Sequence, residues 1–203
     1  KFGLSHGLIN ELYWRDFYYN ILYFFPKVIK GSFREKYDKI KWRNAQSDFK
    51  KWCEGKTGFP IVDACMRQMN TTGYMHNRGR MIVSSFLIKN LWINWRWGEQ
   101  YFANKLTDYN ISANNGGWQW GSGGGTDAQP YFRIFNVWTQ AKKFDSKCEY
   151  IKKWIPELKD IPPKDILGWD KCHEKHTIDY PEPIVDHKET RERALSLFKK
   201  YLK

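Results

Sequence analysis

HNRGRMIVSSFLIKNLWINW, residues 76–95, is the stretch that decides the fold. Ile82, Phe86, Leu87 and Leu91 recur in it at helical spacing, so a strong amphipathic helix is expected there. The same pattern extends to both sides. Residues 5–25 set Leu8, Leu12, Ile21 and Phe25 at helical intervals and stop at Pro26. A short helix fits 46–54, capped by Ser47 or Asp48 and stopped by Gly55. Pro60 suits the first turn of a helix that runs to about Gly73. Further helical segments are predicted over 97–107, 131–143, 146–154 and 187–202, while 156–184 is Pro-rich and irregular. From Asp108 to Thr126 glycine at 116, 117, 121, 123, 124 and 125 breaks the pattern, and a loop is expected. With no strand pairs and no internal repeat, the expected class is all-α, as one domain over residues 1–203.

Charge points to a partner rather than to a fold. The 34 Lys and Arg against 22 Asp and Glu give +12, a balance that suits a polyanion such as nucleic acid. Residues 27–51 alone hold nine basic and three acidic side chains, which a solvated basic face would explain equally well. Eleven Trp, twelve Tyr and thirteen Phe are more aromatics than most cores use, and aromatics also stack on bases and on flat cofactors. Four cysteines without a CxxC pattern predict reduced thiols in an intracellular protein. Cys172, His173 and His176 cluster, but lack the second ligand pair of a zinc site. No apolar run approaches the ~20 residues of a membrane span, so a soluble protein is expected. The glycine-rich segment is no phosphate loop, since no GK[ST] follows it. Its glycines beside Trp118 and Trp120 either admit a flat ligand close to the backbone or mark a flexible surface loop.

Five motifs in order narrow the choice: NELYWRDFY (10–18), GKTGFPIVDACMRQMNTTGYMHNRGRM (55–81), NNGGWQW (114–120), GTDAQPYFRIFN (125–136) and DYPEPIVDHKE (179–189). Together they resemble the helical, FAD-binding part of the DNA photolyase/cryptochrome family over nearly the whole chain. The resemblance implies FAD as cofactor and UV-damaged DNA as partner. It also implies a reaction in which light drives one electron from reduced flavin to a flipped-out pyrimidine dimer, and damaged bases are the easier ones to extrude. In this family Glu11 matches the carboxylate that bonds the dimer, Trp14 and Trp120 the aromatics that clamp it, and Arg15 a flavin-phosphate contact. Arg78 matches a DNA-phosphate contact, and Arg80 with Asp108 a buried ion pair under the flavin ring. Asn114 matches the residue that the family places opposite flavin N5, and Asn110 matches a position at the flavin edge. Trp42, Trp95 and Trp118 match a relay of electrons from surface to flavin; their separation rules out a single helical stripe.

Asn77 and Met81 in HNRGRM, with Asn114, resemble the branch that repairs cyclobutane dimers, where both line the dimer pocket. Cryptochrome-type photoreception is the alternative. Asn110 departs from the family, which commonly has Asp there; Leu8 replaces a polar or aromatic residue common near the flavin, and Tyr74, where Trp is frequent, is a milder change. The chain starts at Lys1 without a Met, and the family's Ser/Thr-rich phosphate loop is not in it. A fragment is therefore expected, with that loop and an α/β antenna domain with its chromophore on an upstream segment or a separate chain.

Overall fold

Pro60 opens the helix around which the others collect, and Gly73 closes it. The computed structural model describes residues 7–202, and in it this helix, α3, spans Pro60–Thr72. Gly73 ends it at φ 70°, a left-handed conformation that residues with a β-carbon avoid. The remaining helices are α1 (Gly7–Phe24), α2 (Gln46–Glu54), α4 (Asn77–Ser85), α5 (Trp95–Lys105), α6 (Ile111–Ser122), α7 (Val137–Phe144), α8 (Glu149–Trp154), α9 (Pro163–Ile166), α10 (Trp169–Cys172) and α11 (His187–Leu202). Short 3-10 turns join several of them, and no strand occurs among the described residues. The all-α expectation stands.

The core lies between α3 and its neighbours α2, α4, α7 and α8. Trp52, Phe59, Met66, Phe86, Leu87 and Phe102 are fully buried in it. Burying each such side chain contributes roughly 1.5–3 kcal/mol before conformational entropy is charged. One buried carboxylate ties distant segments together. Asp63 accepts hydrogen bonds from Thr57 N (2.8 Å), Thr57 Oγ1 (2.6 Å), Gly58 N (3.0 Å) and the Tyr180 hydroxyl (2.6 Å). Gly58 holds φ 74°, and a β-carbon there would lie 2.2 Å from Glu182 O. The GKTGFP and DYPEP motifs are thus two halves of one buried knot.

Four expectations need correction. Residues 76–95 are not one helix. α4 gives way to a π turn at Phe86–Asn90, in which Leu91 N reaches back five residues to Phe86 O (3.1 Å). Trp92 then takes φ 56°, and Asn94 caps a new helix, α5, by accepting from Arg96 N. Second, the glycine-rich stretch is largely a helix, α6. Glycine costs about 1 kcal/mol at a helical position, but tertiary contacts override it here. Asn110 Oδ1 caps α6 by accepting from Ala113 N (3.0 Å), and Gly123 at φ 89° ends it. Inside it, Gln119 is buried, donating to Val28 O (3.1 Å) and accepting from Phe33 N (2.8 Å). Third, the helix expected from 131 begins only at Val137, and the one expected from 146 only at Glu149. Fourth, neither Ser47 nor Asp48 caps α2. Ala45 occupies that position, and Asp48 pairs instead with Arg43 at 2.7 Å.

Candidate active site

Three helices bring the motif residues into one neighbourhood. α1 carries Glu11, Trp14 and Arg15; α4 carries Asn77, Arg78, Arg80 and Met81; α6 carries Asn114, Trp118 and Trp120. Glycine sets the closest approach. A β-carbon on Gly116 would fall 2.1 Å from the Tyr18 ring, so α1 crosses α6 at that point. His76 fixes the start of α4 by accepting from Arg78 N through Nδ1 (3.0 Å).

Arg80 and Asp108 form the expected ion pair. Arg80 donates to both carboxylate oxygens, at 2.8 and 3.0 Å, and its Nε donates to Met75 O (2.7 Å). The pair was expected to be buried, and it is not: the two side chains are 30% and 47% exposed. Tyr74 lies beside the guanidinium, 5.9 Å from it, and the described residues leave much of the pair open. Nearby, Asn114 is half-buried and donates from Nδ2 to Glu99 O (3.1 Å), so its Oδ1 accepts nothing among the described residues. Gly117, one helical turn on, has nothing within 4 Å of a built β-carbon. Asn110 is committed locally, since its Oδ1 caps α6 and its Nδ2 donates to the Tyr19 hydroxyl.

The polar face behind Asn114 escaped sequence reasoning. Glu99 accepts from Asn115 Nδ2 (2.9 Å), and Asn115 Oδ1 accepts from Gln119 (3.0 Å). Burial pushes the Glu99 carboxyl above its ordinary range, while Asn115 and Arg96 pull it back. Asn115 and Gln119 lie within NNGGWQW at a four-residue interval, the one signal that could have put them on a common buried face.

On α1, Glu11 is exposed without a hydrogen bond among the described residues, and Arg15 meets only its neighbour Asp16, at 3.3 Å. Trp14 lines an open groove of about 800 Å³ with Tyr13, Phe17, Phe33, Thr126 and Asp127. No ring contact joins Trp14 to Trp120; Tyr18 stacks on Trp14 at 6.1 Å and shares a small cavity with Trp120. Arg78 lays its guanidinium over the Phe144 ring (4.7 Å) and has no carboxylate partner among the described residues. Asn77 is exposed at the start of α4 and Met81 is half-buried. Of the three relay candidates, Trp95 and Trp118 are buried and Trp42 is half-buried. Ring contacts join them to other aromatics: Trp42 meets Trp92 (5.0 Å), and Trp118 meets Phe102 (5.0 Å) and Trp52 (6.1 Å).

A family described as the FAD binding domain of DNA photolyase matches residues 8–200. The chain belongs to that family. It is similar to the deoxyribodipyrimidine photo-lyase of Escherichia coli, 50% identical over 199 residues, which are 97% of this chain and 42% of the relative. The Halobacterium salinarum photo-lyase is 44% identical over 96% of this chain and 41% of its own length. Among solved structures, an archaeal photolyase from Sulfolobus tokodaii with two FAD molecules superposes with a TM-score of 0.90 at 45% identity, covering 97% of this chain and 45% of the other. A Synechocystis cryptochrome gives 0.87 at 36%, covering 97% and 42%. The chain thus spans about two-fifths of the length of the curated relatives it matches.

The side chains of this photolyase-family domain fit a flavin. Asn114 has an unused acceptor, Arg80 a partly open guanidinium, and the bare backbone at Gly117 lets a flat ring lie against α6.

Proposed function

We propose that this domain is the catalytic core of a light-driven enzyme that repairs cyclobutane pyrimidine dimers in DNA. The observation that carries the proposal is the unused Oδ1 of Asn114, beside bare Gly117 and the Arg80–Asp108 pair on the adjoining helix. Reduced flavin, when bound, would supply photo-excited one-electron chemistry. The protein's part is to bind, orient and hold charge. Arg80, restrained by Asp108 and Met75 O, would hold an oriented guanidinium toward the flavin. Asn114 offers an acceptor without bringing a net charge.

Glu11 meets the dimer edge, Trp14 and Trp120 flank it, and Asn77 and Met81 line the pocket floor. The open groove that Trp14 lines supports that reading, since a flanking ring needs room for its guest. Arg15 serves a flavin phosphate, and Asn110 touches the flavin edge from its capping position. Arg78, unpaired and aromatic-backed, suits a DNA phosphate, which positions without reading sequence. Trp118 and Trp95 inside, with Trp42 nearer the surface, support an inside-to-outside order for the relay. An upstream segment carrying the antenna chromophore completes the assembly, in cis or as a separate chain. No described helix is long and apolar enough to cross a membrane.

The test is illumination of flavin-loaded protein with a thymine-dimer oligonucleotide. Blue-light-dependent loss of the dimer is expected. Stable flavin binding without repair would assign the domain to photoreception, as in a cryptochrome. Binding of DNA with no flavin uptake would reduce it to a basic helical DNA-binding module.

A further inference from the structure

Lys89 lies on the π turn with none of its surface exposed. Its Nζ donates to Arg133 O at 2.7 Å, its one hydrogen bond among the described residues, and no carboxylate faces it. Burial and the nearby Arg133 guanidinium bring its pKa down to about 7. Two ammonium N–H groups therefore go unfilled in the core, an arrangement that an apolar side chain of the same length would improve. What the lysine holds is backbone. The same segment is pinned twice more, by Ser85 Oγ accepting from Phe135 N (3.5 Å) and by His187 Nε2 at Phe135 O (3.1 Å). Arg133 N closes the turn on Pro130 O at 2.9 Å. Above these anchors the turn exposes Arg133 and Phe132, the latter 61% exposed. It begins three residues after Asp127, which with Thr126 shares the groove with Trp14.

We propose that Lys89 is a positioning residue: it fixes the Pro130–Arg133 turn so that Phe132 and Arg133 meet the DNA duplex at the rim of the dimer pocket. A buried cation kept at a cost in stability is the mark of a side chain retained for function. The inference rests on the repair reading above and fails separately from it.

The experiment compares native, Lys89→Met, Arg133→Ala and doubly substituted flavin-loaded proteins. Affinity for a duplex with one thymine dimer is measured across salt concentration, with thermal midpoints alongside. Lys89→Met is expected to keep or raise the midpoint and leave the flavin spectrum unchanged. Dimer-duplex affinity should fall roughly 3- to 10-fold, and the salt dependence should flatten by about one phosphate contact, ~0.9 in the logarithmic slope. In the Arg133→Ala background the same substitution should cost almost nothing more, as two changes acting through one contact do. Native affinity and slope in Lys89→Met, or losses that add fully in the double variant, overturn the positioning role. Native protein indifferent to the dimer overturns the repair reading itself.

Discussion

Helices α1 and α3 are both rich in apolar residues, yet they live in opposite surroundings. α1 carries seven aromatic side chains and α3 none, but α1 has no buried residue while α3 buries eight. Leu8 is 60% exposed and Tyr23 78%, whereas Val62, Ala64, Met66 and Met69 see no solvent. The cause is company. α3 is enclosed by α2, α4, α7 and α8, whereas α1 touches mainly α6 and the Pro26–Ile29 turn. Apolar content alone therefore does not mark core. α3 supplies stability, and α1 is a wall of the site, with its aromatic face turned to a groove. Substitutions in the two helices should separate those duties.

The largest stability effect is expected in α3. Asp63→Ala removes one acceptor from Thr57, Gly58 and Tyr180 at once, leaving their buried donors unmatched. At ~1–3 kcal/mol for each stranded group, a loss of about 4 kcal/mol or more follows, and denaturant midpoints measure it. Tyr180→Phe should cost far less, since its ring stays and a single donor goes. A mild Asp63→Ala would mean that the knot between the two motifs does not hold the core.

A second effect sits where the helices of the comparison diverge. Gly116→Ala pushes a methyl into the Tyr18 ring, so α1 must lift from α6. Overpacking of this kind costs roughly 1–3 kcal/mol, and here it should fall on α1 rather than on the core. Faster amide exchange across α1 and weaker flavin retention are expected, with exchange in α3 unchanged. Equal acceleration in both helices would show that α1 belongs to the same cooperative unit as the core.

These elements also show what a sequence can and cannot reveal. α3 and the end of α2 were legible to the residue, because Pro60, Gly55 and Gly73 punctuate the backbone locally. α6 was misread because its glycines are there for neighbours, with Tyr18 lying where a β-carbon on Gly116 would be, and no local rule reports a neighbour. The π turn at Phe86–Asn90 hides inside an unbroken apolar pattern. In the site, the Arg80–Asp108 pair came through the motifs, although its exposure did not. Glu99 and Lys89 owe their character to burial, which depends on segments 16 and 44 residues away.

Lys89 allows a smaller, pH-dependent test of the core side. Its folded pKa of about 7 lies below the ordinary lysine value of 10.5. Above pH 7 the folded chain sheds this proton while the unfolded chain keeps it, so stability should rise with pH, at a slope approaching 1.4 kcal/mol per unit. The clean window ends near pH 8.5. Beyond it Cys53 and Cys65, with thiols pushed up to about 12 by burial, begin to favour the unfolded, ionised state. Unfolding free energies at pH 7.0 and 8.5 measure the slope, and Lys89→Met should remove it. A flat native profile would mean that the amine stays charged in the core.

The smallest stability effect, and the sharpest contrast with Asp63, is expected at Glu11. Both are carboxylates near a helix start, but Asp63 has four donors and Glu11 has none among the described residues. An exposed, unpartnered carboxylate contributes little to folding, so Glu11→Ala should change stability by less than about 0.5 kcal/mol. Its effect should fall on chemistry instead. If Glu11 hydrogen-bonds the dimer as the dimer takes up charge, that bond is stronger in the charged species than in the bound ground state. Repair per absorbed photon should then drop several-fold more than affinity for dimer-containing duplex. Quantum yield and dissociation constant, measured on the same flavin-loaded protein, separate the two. Parallel losses would make Glu11 a binding contact only, and a loss of stability comparable to that of Asp63→Ala would erase the distinction between the two helices.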